Sequence, residues 1–363
     1  MALVGMDTLF VGERFARLVE DRLRDLMSPA PELVFIASHT HFAPSLDGSK
    51  PGLGTVCSRY YLETVSRVAG AVQTAASRAP IPARLFHGQV DCRGGVYRRL
   101  RTPMPSLRPP FIRSGIAMAP NPSRAIDRTL HAFVGTGPEG KQSFVLWTWP
   151  CHPVSHNRPQ EVSPDFPGVV RDAFRTFFHS PRLPVIFFPG FSGDIRPHFV
   201  EGLPTPRRAL RHPFARGFGV PSDARLTNFH SEVSRAAVKA AETSSEVDLD
   251  EGLDYTLVTV PLSDLLTNSA SGAMPVYRLS TGEFEMVLFG AEVCSGYRQL
   301  VAPHLSTDFI MSGCCGTTFG YLPTDAQIQH GGYESAGSLP LFGHAGRYRT
   351  HVEETVLHEA FGA

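Results

Sequence analysis

The sequence predicts an α/β fold, a single large domain over residues 1–363 built on a mixed, largely parallel sheet. Three observations carry that prediction. Strand, helix and strand succeed one another within about 38 residues of the start, the signature of a right-handed βαβ unit. Unbroken apolar runs of strand length recur, as in strands covered on both faces. No repeat period or low-complexity tract divides the 363 residues.

Ala2 to Met6 is strand-like, and Phe15, Leu18, Val19, Leu23 and Leu26 then share one helical face at 3–4 residue spacing. Glu32 to Ser38 is an apolar strand. A second helix is predicted from Ser58 to Ala76, with Tyr61, Val65, Val68, Val72 and Ala75 as its stripe. Strands are expected near 83–90, 129–135, 143–149 and 183–188. A helix is expected after Asp165, whose carboxylate can cap the next amides, with Pro167 tolerated in the first turn. Another spans about 227–243, where Phe229, Val233, Ala236 and Ala240 align. Strands near 254–262, 283–290 and 308–313 and a short helix near 352–360 complete the pattern. Two Pro/Arg-rich stretches, 98–113 and 204–216, read as long loops, which in compact domains often carry function.

Lys and Arg number 34 against 34 Asp and Glu, so the formal charge is zero, which excludes a polybasic nucleic-acid binder or an acidic tail. With 42% apolar and 19% charged residues the chain can bury a large core, and global disorder is excluded. No apolar run approaches the ~18–20 residues of a membrane span. No signal peptide is visible, so a cytoplasmic location is expected. Six cysteines, 57, 92, 151, 294, 314 and 315, lack paired spacing and read as reduced thiols.

Chemistry concentrates where predicted strands end, the place where open α/β sheets bind ligands. His39 and His41 follow the strand 32–38, and residues two apart in extended chain face one way, so both imidazoles can serve one metal or stand as loop histidines. His152 follows the strand 143–149, held extended by Pro153. Cys151 should point the opposite way, which makes a Cys/His pair poor. Gly190-Phe191-Ser192-Gly193-Asp194 approaches the nucleophile elbow Gly-x-Ser-x-Gly but carries Asp at the last glycine, and Pro197 forbids the following helix. Glu292 after the strand 284–289 is costly to bury without a cation or partner, and Tyr321 can add a phenolate oxygen. A mixed nitrogen and oxygen set favours zinc over calcium or magnesium.

Ser-His-Thr-His-Phe-Ala-Pro (38–44), His-Pro-Val-Ser (152–155), Ser-Pro-Asp-Phe-Pro-Gly (163–168), Gly-Asp-Ile-Arg-Pro (193–197), Gly-Ala-Glu (290–292), Gly-Tyr-Leu-Pro-Thr (320–324) and Gly-Tyr-Glu-Ser-Ala (332–336) stand in an order that resembles the neutral/alkaline ceramidase catalytic domain. The resemblance implies a zinc-dependent amide hydrolase with one zinc per chain and a small-molecule amide substrate. By motif matching it implies His39, His152, Glu292 and Tyr321 as metal ligands. His41 then stabilises the reacting oxygen, Arg98 belongs to an active-site arginine loop, and Tyr333 contacts the tetrahedral intermediate. Asp165 and Asp194 fall at acidic positions read as structural supports. Three departures matter: Arg196 stands where ceramidases carry a Ser in Gly-Asp-x-Ser-Pro, the family's additional C-terminal domain is expected to be absent, and its first strand is expected to be missing or misassigned. A guanidinium is no nucleophile but can hold a substrate carboxylate. The expected activity is therefore hydrolysis of an amide other than ceramide, on an anionic small molecule. Acyl transfer, cyclisation, ester or lactone opening, or metal-dependent binding without turnover are the alternatives. No nucleic-acid partner and no integral membrane segment is expected, and a homo-oligomer is compatible with the sequence.

Overall fold

A computed structural model of the chain describes residues 1–107, 109–200, 210, 213, 215–250, 252–268 and 271–362. It opens as the periodicity requires. Strand β1 (Ala2–Met6) runs parallel to β2 (Leu33–Ala37), Ala2 opposite Leu33 and Met6 opposite Ala37, with helix α1 (Glu13–Leu26) as the crossover. Phe15, Val19 and Leu23 are the buried stripe of α1. Helix α2 (Ser58–Ala76) packs beside it through Tyr61, Val65, Ala69 and Val72; of the expected stripe Val68 is half-buried and Ala75 exposed.

The next strands are β3 (Arg84–Asp91), β4 (Gly95–Tyr97), β5 (Arg99–Pro105), β6 (Ile112–Met118), β7 (Thr129–Thr136), β8 (Gln142–Trp149) and β9 (Val185–Pro189). They are followed by β10 (Ile195–Pro197), β11 (Ser245–Glu246), β12 (Asp254–Pro261), β13 (Ala273–Thr281), β14 (Phe284–Phe289), β15 (Glu292–Val293), β16 (Asp308–Ser312) and β17 (Tyr321–Leu322). Two main sheets result, ordered β11-β3-β7-β8-β9 and β12-β13-β14-β16. Because side chains alternate along a strand, each sheet has two apolar faces to cover. Phe133, Leu146 and Phe188 meet Leu279, Met286, Leu288 and Ile310 between the sheets. On the outer face of the first sheet, Ala132, Val134, Val145 and Trp147 are covered by α3 (Asp165–Phe177) and α4 (Asp223–Glu242). The outer face of the second, with Met274, Val276, Val287 and Phe289, is covered by the helix Val352–Phe361 through Val352 and Val356.

Two expectations change. The sheets are mixed, but among the described residues seven of the eleven strand pairings are antiparallel, not largely parallel. Short connections such as those between β7 and β8 and between β13 and β14 permit only antiparallel neighbours. The stretch 98–113 is not a loop: β5 and β6 form a hairpin, with Arg99 opposite Met118. Its prolines are tolerated because the hairpin is a two-stranded sheet with free edges. The stretch 204–216 lies largely outside the described residues. All six cysteines are free and five are buried. Among the described residues no helix is long and apolar enough to cross a membrane.

Candidate metal centre

The parallel pairs β1/β2, β8/β9, β14/β16 and β15/β17 decide where the chemistry lies. His39 leaves the end of β2 with φ of 63°, a left-handed conformation that a histidine adopts only at a cost. Its ring Nδ1 donates to the Leu9 carbonyl at 3.1 Å. His152 leaves the end of β8 and donates from Nδ1 to the Ser192 carbonyl at 2.6 Å. Cys151, beside it, packs into the core under α3 and α4, so the opposite orientation expected for the pair holds.

Ser192 belongs to the loop after β9, and the elbow-like motif there has a structural use. Gly193 donates its amide to Val293 at 2.8 Å, and a Cβ on it would fall 2.8 Å from the Glu292 carbonyl oxygen. Only glycine lets this loop lie so close to β15. Asp194 accepts from the Ser295 amide at 2.8 Å and from Gln327 Nε2 at 2.6 Å. Asp165, at φ 57°, does more than cap α3: it accepts from the Ser155 and Phe166 amides, each at 2.6 Å, and from the Ser155 hydroxyl, which fixes the turn after His152. Both acids are supports of this kind, with pKa raised by burial.

Glu292 opens β15 directly opposite Tyr321 of β17. Its Oε2 stands 3.2 Å from His39 Nε2 and 3.1 Å from His152 Nε2, all three side chains buried. A neutral imidazole has one N–H, and in both rings the Nδ1 hydrogen is committed to a carbonyl. Burial, then Arg98, pushes the His152 imidazole down to about 4, so at neutral pH its Nε2 offers a lone pair to the carboxylate. Among the described residues His39 Nε2 has no hydrogen-bond partner beyond its 3.2 Å approach to Glu292. Burial works to raise the Glu292 carboxyl, and positive charge on the imidazole side, a proton or a cation, is what holds it well below the usual carboxylate range. Two lone pairs converging on an ionised carboxylate repel one another unless a cation joins them, and carbonyls orienting the far ring nitrogens are the usual support of histidine ligands. The donors fit a borderline divalent ion such as zinc.

Tyr321 faces the Glu292 carboxylate across the β15/β17 pair, and its phenol accepts from Arg98 Nη2 at 3.0 Å. Burial pushes the phenol up, with Arg98 opposing. His41 reaches solvent at the edge of the cluster, its ring centroid 5.0 Å from His39 and 5.8 Å from His152. The three imidazoles offer nitrogens that all lie within 4.8 Å of one another. Protein atoms around it, then His39 and His152, push His41 well below its ordinary value. Tyr333 stacks edge-on against Tyr321 at 5.6 Å, and Arg98 lies 5.6 Å from its ring. Arg196 sits on β10 opposite Val96 of β4, two residues from Arg98.

The sequence did not single out Glu334. Its buried carboxylate receives Arg98 Nε at 2.8 Å on one oxygen and Arg99 Nη1 on the other. The only local signal is an acid directly after Tyr333. Ser192 and Leu9 act through backbone carbonyls, which no side-chain pattern reveals.

No protein-family model matches the sequence, and no curated protein does. Among solved structures, the chain is similar to neutral ceramidase from Pseudomonas aeruginosa, with 14% identity and a TM-score of 0.69 over 97% of this chain and 64% of that one. It is likewise similar to a ceramidase complexed with C2, at 13% identity and a TM-score of 0.67 over the same shares. The chain thus spans about 64% of the length of these structures. What the likeness establishes is the fold: a mixed α/β architecture shared with neutral ceramidase.

Proposed function

We propose that the protein is a zinc-dependent hydrolase of an amide bond in a small molecule other than ceramide. The observation that carries this reading is the convergence of His39 Nε2 and His152 Nε2 on one oxygen of Glu292, at 3.2 and 3.1 Å. The fold shared with neutral ceramidase supports amide cleavage, and the resemblance of the motifs runs in the same direction.

His39, His152, Glu292 and Tyr321 would hold one ion. When bound, zinc supplies a Lewis acid that polarises a carbonyl and brings the pKa of water towards about 7. The remaining groups are the chain's own contribution. His41, neutral at pH 7 and open to solvent, is placed to donate to the oxygen that gains charge as an amide carbonyl becomes tetrahedral. The phenol of Tyr333 supplies a second donor from the side of Tyr321. Arg98 steadies the Tyr321 oxygen and is itself held by Glu334. Arg196 at the position of the family's serine removes any hydroxyl nucleophile there, so water is the acceptor of the acyl group.

Protein expressed with ample zinc should contain close to one zinc per chain, and His152→Ala or Glu292→Ala should lose both metal and turnover of N-acyl amides. Hydrolysis in oxygen-18 water should label the released carboxylate. A metal-free protein that keeps full activity, or a product without label, would overturn the proposal.

A further inference from the structure

Among the described residues the site holds one cation that no carboxylate pairs with. Arg98 and Arg99 share the Glu334 carboxylate, so each has an ion-pair partner inside the protein. Arg196 differs: its Cζ lies 4.8 Å over the Phe218 ring and its Nη1 3.8 Å from Met118 Sδ, and among the described residues no carboxylate pairs with it. A half-buried guanidinium held by a ring face and a thioether recovers only part of its lost hydration until a counter-charge arrives. Burial, then the like charge of Arg98, pulls Arg196 down to about 10, which leaves it charged at neutral pH. Among the described residues the nearest carboxylates are engaged elsewhere: Glu292 faces His39 and His152, and Glu334 holds Arg98 and Arg99.

From this geometry we infer that Arg196 is the recognition point for a carboxylate carried by the substrate, close to the scissile bond. The inference rests on the amide-hydrolase reading and adds the substrate class to it, an N-acyl amino acid or a half-amide of a dicarboxylic acid. The planar fork of arginine matches a carboxylate in two parallel hydrogen bonds. A single guanidinium flanked by Phe218 and Met118 suits that monoanion better than a phosphate dianion, which calls for several donors.

Two matched pairs of probes test it on the zinc-loaded chain. N-octanoylglycine is compared with N-octanoylethanolamine, which places the charge on the amine side. N-octylsuccinamate is compared with N-octylbutyramide, which places it on the acyl side. Calorimetry with the uncleavable analogues, in which the amide NH is a CH2, reads recognition without turnover. The anionic member of at least one pair should lead by about ten- to a hundredfold in kcat/KM and in affinity. Arg196→Gln should bring that ratio close to one, and Arg196→Lys should leave an intermediate preference and guard against a misfolded glutamine variant. Equal binding within both pairs, no binding of either anion, or a preference that survives Arg196→Gln overturns the inference. A binding preference without cleavage of any probe keeps the inference and defeats the hydrolase reading instead.

Discussion

Arg98 donates from Nη2 to the phenolic oxygen of Tyr321 at 3.0 Å, and the same guanidinium is anchored through Nε by Glu334 at 2.8 Å. The far oxygen of Glu334 takes Arg99, so one buried carboxylate pairs with two buried cations. Breaking such a group by removing one partner costs far more than the group contributes, because charges are stranded without water. Glu334→Gln keeps the shape and removes the charge. It should lower unfolding free energy by about 3–5 kcal/mol in urea titrations. A loss below about 1 kcal/mol would show that the two arginines find solvent by another route.

Glu292 and His41 separate two ways of holding the ion. If Glu292 completes the set with His39 and His152, Glu292→Gln should abolish the rise in melting temperature caused by zinc. That rise reflects about 2.7 kcal/mol at a hundredfold excess over Kd. The metal-free variant should be no less stable than the parent, since a carboxamide can donate to the His152 lone pair that the carboxylate faces. His41→Asn should keep one tightly bound zinc per chain and lose turnover. The reverse pattern would assign the ion to the three imidazoles of His39, His41 and His152.

His131 of β7 sets an acid limit on stability. It lies between the two sheets, its Nδ1 3.0 Å from His87 Nε2, while His87 also contacts Asp308; Asp127 and Arg298 act on His131 from the other side. Burial, then His87, pushes His131 down to about 4 from 6.5. The folded state therefore binds this proton less readily than the unfolded chain. Its contribution is complete above pH 6.5 and is lost as pH falls towards 4, by on the order of 3 kcal/mol. His131→Asn, whose amide NH2 replaces the Nδ1–H as donor to His87, should flatten the decline seen in urea unfolding between pH 7 and 4.5. An unchanged slope would place the acid sensitivity elsewhere.

The strands and helices that build the site were legible because they are buried on both faces or along a stripe. The runs 32–38 and 143–149 are uninterrupted, and Phe15, Val19 and Leu23 repeat at helical spacing. β13 escaped notice because Pro275, Arg278 and Ser280 break its apolar content, although it pairs on both sides. The β5/β6 hairpin was hidden by Pro103, Pro105 and its arginines, which count against a strand only where every amide must be paired. His39 and His152 were legible as strand-end histidines, and their closeness to Glu292 follows from the parallel pairs that align those ends. Glu334 was not legible: its partners lie 235 and 236 residues away, and no local period encodes a contact at that separation.

Gly193 offers the sharpest test that the loop after β9 exists to orient His152. Its backbone φ is not left-handed, so alanine is tolerated conformationally, and the obstacle is contact alone. The added methyl would meet the carbonyl oxygens of Glu292 and Val293 at 2.8 and 2.9 Å, both backbone atoms that cannot swing aside. The loop must then withdraw, and the Ser192 carbonyl that holds His152 Nδ1 at 2.6 Å moves with it. Loss of such an orienting hydrogen bond typically weakens metal affinity by about ten- to a hundredfold. Gly193→Ala should therefore show that loss in competition with a chelator, beyond whatever melting temperature it gives up. Gly70→Ala in α2, where nothing lies within 4 Å of the new methyl, is the control and should raise stability without touching zinc affinity. Wild-type zinc affinity in Gly193→Ala would mean that His152 is held by its backbone, not by Ser192.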